Sequence, residues 1–299
     1  MSRATLPVAG ERANRNDTLA LVAALVTVLL WASAFVGIRS VKGEFSAGAL
    51  TLGRLLVGTL VLTVVALSRG ARLPRRADVP LLVSCGLLWF GLYNLALNAA
   101  EHKVDAGTAA MLVNINPILV AIMAGLFLHE GFPRRLLLGC AIAFSGAIVI
   151  GLATSHSSAS AGVGALLCVL AAFASAAGLI LQKPLLRRMT ALEATWLACA
   201  IGTIACLPFA PQLVREVGNA HASKLAWIVY LGIFPTAIAF TTWSFALART
   251  EAGRLGSTTF LVVPIAVLLG WLVLGETPPV IAIGGGALCI VGAALARRR

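Results

Sequence analysis

Apolar blocks of about 18–25 residues, separated by short polar connections, run through the whole of this 299-residue chain. A helix that rises 1.5 Å per residue needs about 20 such residues to cross a hydrocarbon core of about 30 Å. Hydrophobic residues make up 60% of the chain and charged residues 11%, against about 45–50% and about 25% in soluble domains. Because helices satisfy their own backbone hydrogen bonds in lipid, the sequence predicts an all-α membrane protein.

The blocks predict ten transmembrane helices and a defined orientation. When alternate loops are placed on opposite sides, the side with both termini carries 17 Lys and Arg residues and the other side carries 5. The positive-inside rule then places both termini in the cytoplasm, so the basic excess indicates topology and not a nucleic-acid site. Residues 1–17 and 297–299 are predicted tails, and 154–161 link two halves, 18–153 and 162–296. The predicted spans are 18–38, 47–67, 79–99, 106–128, 134–153, 162–182, 192–209, 224–247, 252–274 and 278–296.

The second half of the chain repeats motifs of the first half in the same order. "WASA" at 31–34 returns as "FASA" at 173–176, and "KVDAG" at 103–107 returns as "RTEAG" at 249–253. A helix with a central proline follows in each half, with Pro117 in the first and Pro264 in the second, and Glu130 then corresponds to Glu276, 146 residues later. Each copy has five predicted crossings, an odd number. The sequence therefore predicts two inverted five-helix repeats, an architecture typical of alternating-access transporters.

The first apolar block has a second interpretation, because it follows a basic tail and contains the small residues Ala32-Ser33-Ala34. This pattern is also found at signal-peptidase cleavage sites. A cleavable signal has no reason to recur as the sixth helix of an integral protein. We therefore expect the block to remain as a working transmembrane helix.

These motifs resemble those of the EamA-type branch of the drug/metabolite transporter superfamily. The resemblance covers nearly all of residues 18–296 and is carried by "WASAF", "LTLGRLLVGTL", "NINPILVAIMAGLFLHEGFP" and "FLVVPIAVLLGWLVLGETPP". It implies a multi-pass protein of the bacterial inner membrane that exports small metabolites, often amino acids or related compounds. Because members of a fold family differ in substrate, the resemblance predicts class more firmly than ligand.

The predicted function is a secondary transporter that exports neutral or aromatic amino acids by alternating access, through a central cavity between the repeats. Its predicted partners are a small-molecule substrate and the lipid bilayer, and it is expected to be a monomer or weak homodimer. The alternatives are an exporter of cationic or amphipathic drugs and a membrane protein that transports nothing. The sequence lacks HExxH and GxSxG motifs, so no enzyme, cofactor or nucleic-acid partner is predicted.

Polar and aromatic side chains inside the predicted spans are candidate substrate ligands, because an unsatisfied polar group in hydrocarbon costs several kcal/mol. Arg54 either snorkels to the interface or lines an aqueous cavity and pairs with a carboxylate. A single intramembrane arginine fits a monocarboxylate or zwitterion better than a phosphorylated substrate. Ser33 either packs helices closely or contacts substrate. The candidate substrate-binding residues are Trp31, Ser33, Arg54, Trp89, Tyr93, Asn94, Asn98, Asn114, Asn116 and Trp243.

Four further residues are candidates for gating. Pro117 and Pro264 break the backbone hydrogen bonding of two equivalent helices, so we expect these helices to flex. Glu130 and Glu276 lie at helix ends on opposite faces of the membrane, where we expect them to cap or tether the gates. The predicted spans contain no central Asp or Glu, so the sequence favours efflux driven by the substrate gradient over proton or sodium coupling.

The six cysteines all lie in apolar blocks and form no CxxC pair, so we interpret them as free, packed thiols. Cys199 and Cys206 are seven residues apart and would share one helix face. No histidine lies near them in sequence, so no metal site is predicted.

Overall fold

The computed structural model of the chain describes residues 9–103, 109, 112–154, 161–275, 277 and 279–297. Within these ranges the fold is all-helical. Seven helices are long and apolar enough to cross a membrane, or eight if a pair bent by 50° is counted as one span. The helices are α1 (Ala9–Val41), α2 (Ala47–Ser68), α3 (Arg76–Glu101), α4 (Asn116–Phe127), α5 (Arg134–Thr154), α6 (Ala161–Leu185), α7 (Ala191–Ala205), α8 (Ala210–Asn219), α9 (Ala222–Leu247), α10 (Ala252–Val273) and α11 (Val280–Arg297).

Most predicted spans correspond to one of these helices. The seven long apolar helices are α1, α2, α3, α6, α9, α10 and α11. The seventh predicted span, 192–209, covers most of α7. Helix α7 and the following segment, which includes α8, form the pair bent by 50°. The fifth coincides with α5, and the fourth is described only in part, as the shorter helix α4. The all-helical membrane fold is confirmed, while the count of ten crossings and the orientation stay predictions.

Helices α5 and α11, which occupy equivalent places in the two halves, pack with their backbones in contact. A Cβ atom added at Gly139 would lie 2.4 Å from the nitrogen of Ala296, and one added at Gly292 would lie 2.3 Å from the nitrogen of Ala143. A Cβ atom added at Gly146 would contact the carbonyl oxygen of Gly285. Gly146 thus lies beside the earlier part of α11 and Gly139 beside its end, so the two helices run antiparallel. Equivalent helices that run antiparallel are what inverted halves require.

Two π-helical segments also recur at equivalent places. One is Gly86–Leu92 within α3, and the other is Gly232–Ile238 within α9, 146 residues later. A π-helical turn holds more residues than an α-helical turn and is found mostly at functional sites. In both helices the segment lies next to residues that face the centre of the bundle, as described below.

The connections gather at two ends of the bundle, which we name after one glutamate each. At the Glu216 end, the Glu216 carboxylate accepts a hydrogen bond of 2.8 Å from the backbone nitrogen of Ser46. At the Glu130 end, the Glu130 carboxylate reaches the start of α10, and Arg188 forms an ion pair of 2.5 Å with Asp78. Connections from both halves of the chain therefore meet at each end.

Candidate functional site

A cavity lies at the centre of the bundle, in the half toward the Glu216 end, with about 810 Å³ of space free of atoms when the open solvent at its mouth is included. Seven described helices and the residues just before α4 contribute to its wall, which draws on both halves of the chain. Its lining is largely apolar and aromatic with a few polar groups, the usual composition of a small-molecule site. The lining residues are Trp31, Ala34, Phe35, Ile38, Arg54, Trp89, Tyr93, Asn94, Leu97, Val113, Asn114, Asn116, Pro117, Ser175, Leu179, Phe240, Trp243, Thr259 and Val262.

An aromatic cluster forms the wall of the cavity that faces the Glu130 end. The Phe240 ring is central to it, with centroids 5.3 Å from Trp31 and 5.2 Å from Trp89. Trp31 also lies 5.0 Å from Trp243. Phe240 and Trp243 are 1% and 0% exposed, so this cluster separates the cavity from the Glu130 end. The Trp243 indole nitrogen is a buried donor with no hydrogen-bond partner among the described residues.

Arg54 is the cation on the cavity wall, two turns into α2 from the Glu216 end. It is 3% exposed, so its guanidinium does not snorkel out of the bundle. Its Nε atom donates a hydrogen bond of 3.2 Å to the Thr236 hydroxyl, which in turn donates to the carbonyl of Leu231 at 2.8 Å. That carbonyl comes just before the π-helical segment of α9. The second half of the chain therefore positions the arginine of the first.

Asparagine side chains bridge the cavity wall to the surrounding backbone. The Asn94 amide donates to the carbonyls of Phe90 and Trp89 at 2.9 and 3.2 Å, at the end of the π-helical segment of α3. The Asn116 amide donates to the Ser175 hydroxyl at 2.7 Å and to the Ala172 carbonyl at 3.1 Å. Each asparagine uses its amide hydrogens on protein atoms. Within the described part of the chain, the carbonyl oxygens of Asn94 and Asn116 are then left to accept a hydrogen bond from a substrate.

The structure brings eight of the ten candidate substrate-binding residues to this cavity, together with Pro117. The two others lie elsewhere. The Ser33 hydroxyl is 2.8 Å from that of Tyr230, on a face of α1 turned away from the cavity. Asn98 is fully buried between α3 and α2, where its amide donates to Thr51 at 2.8 Å. Neither residue lines this cavity, since Ser33 contacts α9 and Asn98 contacts α2.

Sequence reasoning missed three residues that bear on the site. Phe240 and Thr236 lie in a helix from which only Trp243 was predicted as a site residue, and nothing in the motifs marked them. Glu101 was missed because the third predicted span ended at residue 99. Helix α3 continues to Glu101, whose side chain is buried. Helix α3 therefore carries a buried acid at its end, two residues beyond the predicted span.

At the Glu130 end, one carboxylate holds two helices together across the halves. The two Glu130 oxygens accept hydrogen bonds from the backbone nitrogens of Ala252 and Gly253, at 2.7 and 3.0 Å. These nitrogens are unpaired in an isolated helix, because they begin α10. The Lys183 ammonium binds the carbonyls of Leu247 and Thr250 at 2.6 and 2.5 Å, just before the same turn. The link between α9 and α10 is thus fixed on both sides.

The other gating candidates are less fully described. Glu276 lies outside the described residues. Pro264 lies in α10, against Gly286 of α11, and does not line the cavity. All six cysteines are buried free thiols, as predicted.

The model of the EamA-like transporter family matches residues 18–152 and 162–298, which is most of the chain in two copies. The chain belongs to the EamA-like transporter family. The match in two copies agrees with the repeat found in the sequence. The protein is thus a multi-pass membrane transporter for small molecules and not an enzyme.

Named relatives of this EamA-like transporter include exporters. It is 37% identical to a probable terminal-alkyne amino-acid exporter of Streptantibioticus cattleyicolor, over 94% of each chain. It is 27% identical to the pseudopaline exporter CntI of Pseudomonas aeruginosa, over 85% of this chain and 87% of that protein. A crystal structure with 20% sequence identity superposes with a TM-score of 0.76 over 93% of this chain and 96% of that chain, which supports the fold.

Proposed function

We propose that this EamA-like transporter exports neutral or aromatic amino acids across the bacterial inner membrane. The observation that carries the proposal is the buried Arg54 guanidinium on the wall of a mostly aromatic cavity. A guanidinium binds one carboxylate through two parallel hydrogen bonds. The Arg54 Nη atoms are suited to this task because Nε is already held by Thr236.

The rest of the cavity suits the remainder of an amino acid. Asparagine oxygens accept hydrogen bonds from an ammonium group, and the cluster around Phe240 packs against a flat or apolar side chain. A phosphorylated substrate calls for several cations, whereas the described lining holds Arg54 alone. The names of two relatives, the terminal-alkyne amino-acid exporter and a probable amino-acid metabolite efflux pump of Salmonella typhimurium, agree with this class.

We propose that transport proceeds by alternating access between inverted halves, with the Glu130 end in the cytoplasm. The aromatic cluster and the Glu130 tether then close the cytoplasmic side in the form described here. The repeat relates Glu130 and Ala252 to Glu276 and Ala106, which we propose as the matching tether of the opposite form. Pro117 and Pro264 mark the helices whose bending exchanges the two forms.

The proposed function predicts counterflow of labelled amino acids into proteoliposomes that contain only this protein. Vesicles are loaded with unlabelled amino acid at matched internal and external pH, and uptake of the labelled compound is followed. Uptake well above that of empty vesicles is expected for neutral or aromatic amino acids. Organic cations serve as the comparison, because Arg54 repels them. If only the cations exchange, the protein is a drug exporter instead.

The tether predicts that Glu130→Gln opens the cytoplasmic side. Glutamine places an amide group where a carboxylate oxygen accepted a backbone hydrogen bond, which removes roughly 1 kcal/mol of stabilisation, or about fivefold in population. Gln182, 1% exposed in α6 one turn beyond Leu179, is a suitable reporter. In a Gln182→Cys background, we expect maleimide labelling from the cytoplasmic side to rise about fivefold.

The control for this measurement is Glu251→Gln, at the same end of the bundle, whose half-exposed carboxylate pairs with Arg254 among the described residues. Its labelling rate should match that of the Gln182→Cys parent. Equal labelling of the Glu130→Gln variant and the parent would rule out the tether as a gate.

A further inference from the structure

The buried carboxylate of Glu101 has no assigned role in the transport pathway. Glu101 is the last residue of α3 and is 8% exposed. Its Oε1 atom makes no hydrogen bond within the part of the chain that the structure describes. A buried carboxylate oxygen without a partner costs free energy, so such groups in membrane helices usually mark an ion or substrate pathway.

Glu101 continues the stripe of α3 that lines the cavity. Tyr93 and Leu97 face the cavity, and Glu101 follows at the same spacing of four residues, which keeps it on the same helix face. It lies one turn beyond Leu97, toward the Glu216 end. Glu101 does not line the cavity itself but continues its α3 wall toward the Glu216 end.

The surroundings of Glu101 are rich in cations. Arg54, the carboxylate-binding residue proposed above, is close enough for its charge to act on Glu101. Asp105, the nearest acid in sequence, lies outside the described residues. The charged and titratable groups that act on Glu101 from the neighbouring elements are Arg39 and Lys42 at the end of α1, Arg54 in α2, Cys168 in α6 and Tyr93 in α3 itself.

We propose that Glu101 is an acidic subsite of the transport pathway, which binds either the ammonium group of the substrate or a proton. The inference rests on the proposed function and extends it. Arg54 holds the substrate carboxylate while Glu101 holds the ammonium group. A proton from the outer solution adds to the Glu101 carboxylate, and the intact zwitterion leaves. In the cytoplasm the proton dissociates into water as the next ammonium group binds.

This exclusive binding makes the protein a proton-coupled exporter. Proton and substrate compete for one carboxylate. A carrier that changes from one open side to the other only with a proton or a substrate bound therefore exchanges protons for substrate. One proton enters for each zwitterion that leaves, and one positive charge moves inward per cycle. The inward proton gradient and the membrane potential then both drive export.

The test uses proteoliposomes with an acidic lumen at pH 6.0 and an outer solution at about pH 7.5. The wild-type protein is expected to accumulate labelled amino acid at least about fivefold above its equilibrium level, because protons leave as substrate enters. Glu101→Gln is expected to lose this accumulation, and to raise the KM of counterflow because the ammonium group loses its carboxylate partner. Glu44→Gln, a partly exposed acid at the same end, serves as the control and should keep both activities.

Three outcomes overturn the inference and leave the proposed function intact. They are counterflow by the wild type without any response to the pH gradient, gradient-driven accumulation by Glu101→Gln, and loss of accumulation in the Glu44→Gln control. Absence of counterflow for every amino acid would instead overturn the proposed function.

A measurement on the wild type alone covers the case in which Glu101→Gln fails to fold. When substrate is added to purified protein in weakly buffered detergent solution, the ammonium group should displace protons from Glu101. A pH indicator should then report a release that approaches one proton per protein as the starting pH is lowered. Absence of release at every pH, with substrate binding confirmed by equilibrium dialysis, overturns the inference.

Discussion

Replacing Arg54 by glutamine is expected to lower amino-acid counterflow, measured as kcat/KM, by about 100-fold. A hydrogen bond to a charged group contributes about 1.5–3 kcal/mol, and each 1.4 kcal/mol corresponds to a factor of ten. The loss should be near the upper end of that range, because a carboxylate in this largely apolar cavity has no second cation to bind. The same variant should be no less resistant to heat, since a buried cation costs free energy of desolvation.

Two variants control for this result. Arg54→Lys keeps the charge but not the paired hydrogen bonds, so its counterflow should lie between those of the wild type and Arg54→Gln. Arg215→Gln removes an exposed cation at the same end of the bundle and should leave counterflow unchanged. Full activity of Arg54→Gln would exclude Arg54 from substrate binding.

The contact between α5 and α11 predicts the largest effect on stability. Gly292→Val would place Cβ 2.3 Å from the nitrogen of Ala143 and 2.5 Å from the carbonyl oxygen of Gly139. Backbone atoms cannot move aside as a flexible side chain can, so the helices must separate. Overpacking of this kind costs about 3 kcal/mol or more. We expect the apparent melting temperature in detergent, measured by loss of the monodisperse peak, to fall by roughly 10 °C.

The matched control for this prediction lies on the same helix. Gly284 of α11 has open space where a Cβ would be added, so Gly284→Val should leave the melting temperature unchanged. If both valine variants melt together with the wild type, the close contact of α5 and α11 does not contribute to stability.

The fold was largely predictable because its signals are local or repeat along the chain. Hydropathy locates the long helices, and the 146-residue shift in the sequence relates Gly139 to Gly285 and Gly146 to Gly292. The candidate cavity residues were also partly predictable. A polar or aromatic side chain deep in an apolar helix is more favourable inside the bundle than in lipid. Arg54, Trp89 and Asn116 accordingly all lie at the centre of the bundle.

The remaining features depend on which helices meet, and hydropathy does not encode this. Ser33 is as deep in its helix as Trp31 but faces Tyr230, and only the position of α9 decides between the two faces. Nothing in the sequence distinguishes Thr236, and its role follows only from the position of Arg54 beside it in the fold. Glu101 was excluded by a boundary error of two residues, because a charged residue at a helix end reduces the hydropathy average that defines the span.

The paired π-helical segments have a mechanical consequence for the cavity. A helix that contains one wide turn can move that turn along its length by exchanging a few backbone hydrogen bonds, without any change at its ends. The residues passed over rotate by about 100° about the helix axis, the angle between successive residues. In α3 these residues would include Tyr93 and Asn94, and in α9 Phe240 and Trp243. The chemical character of the cavity wall is thus set by hydrogen-bond register as well as by the tilt of whole helices.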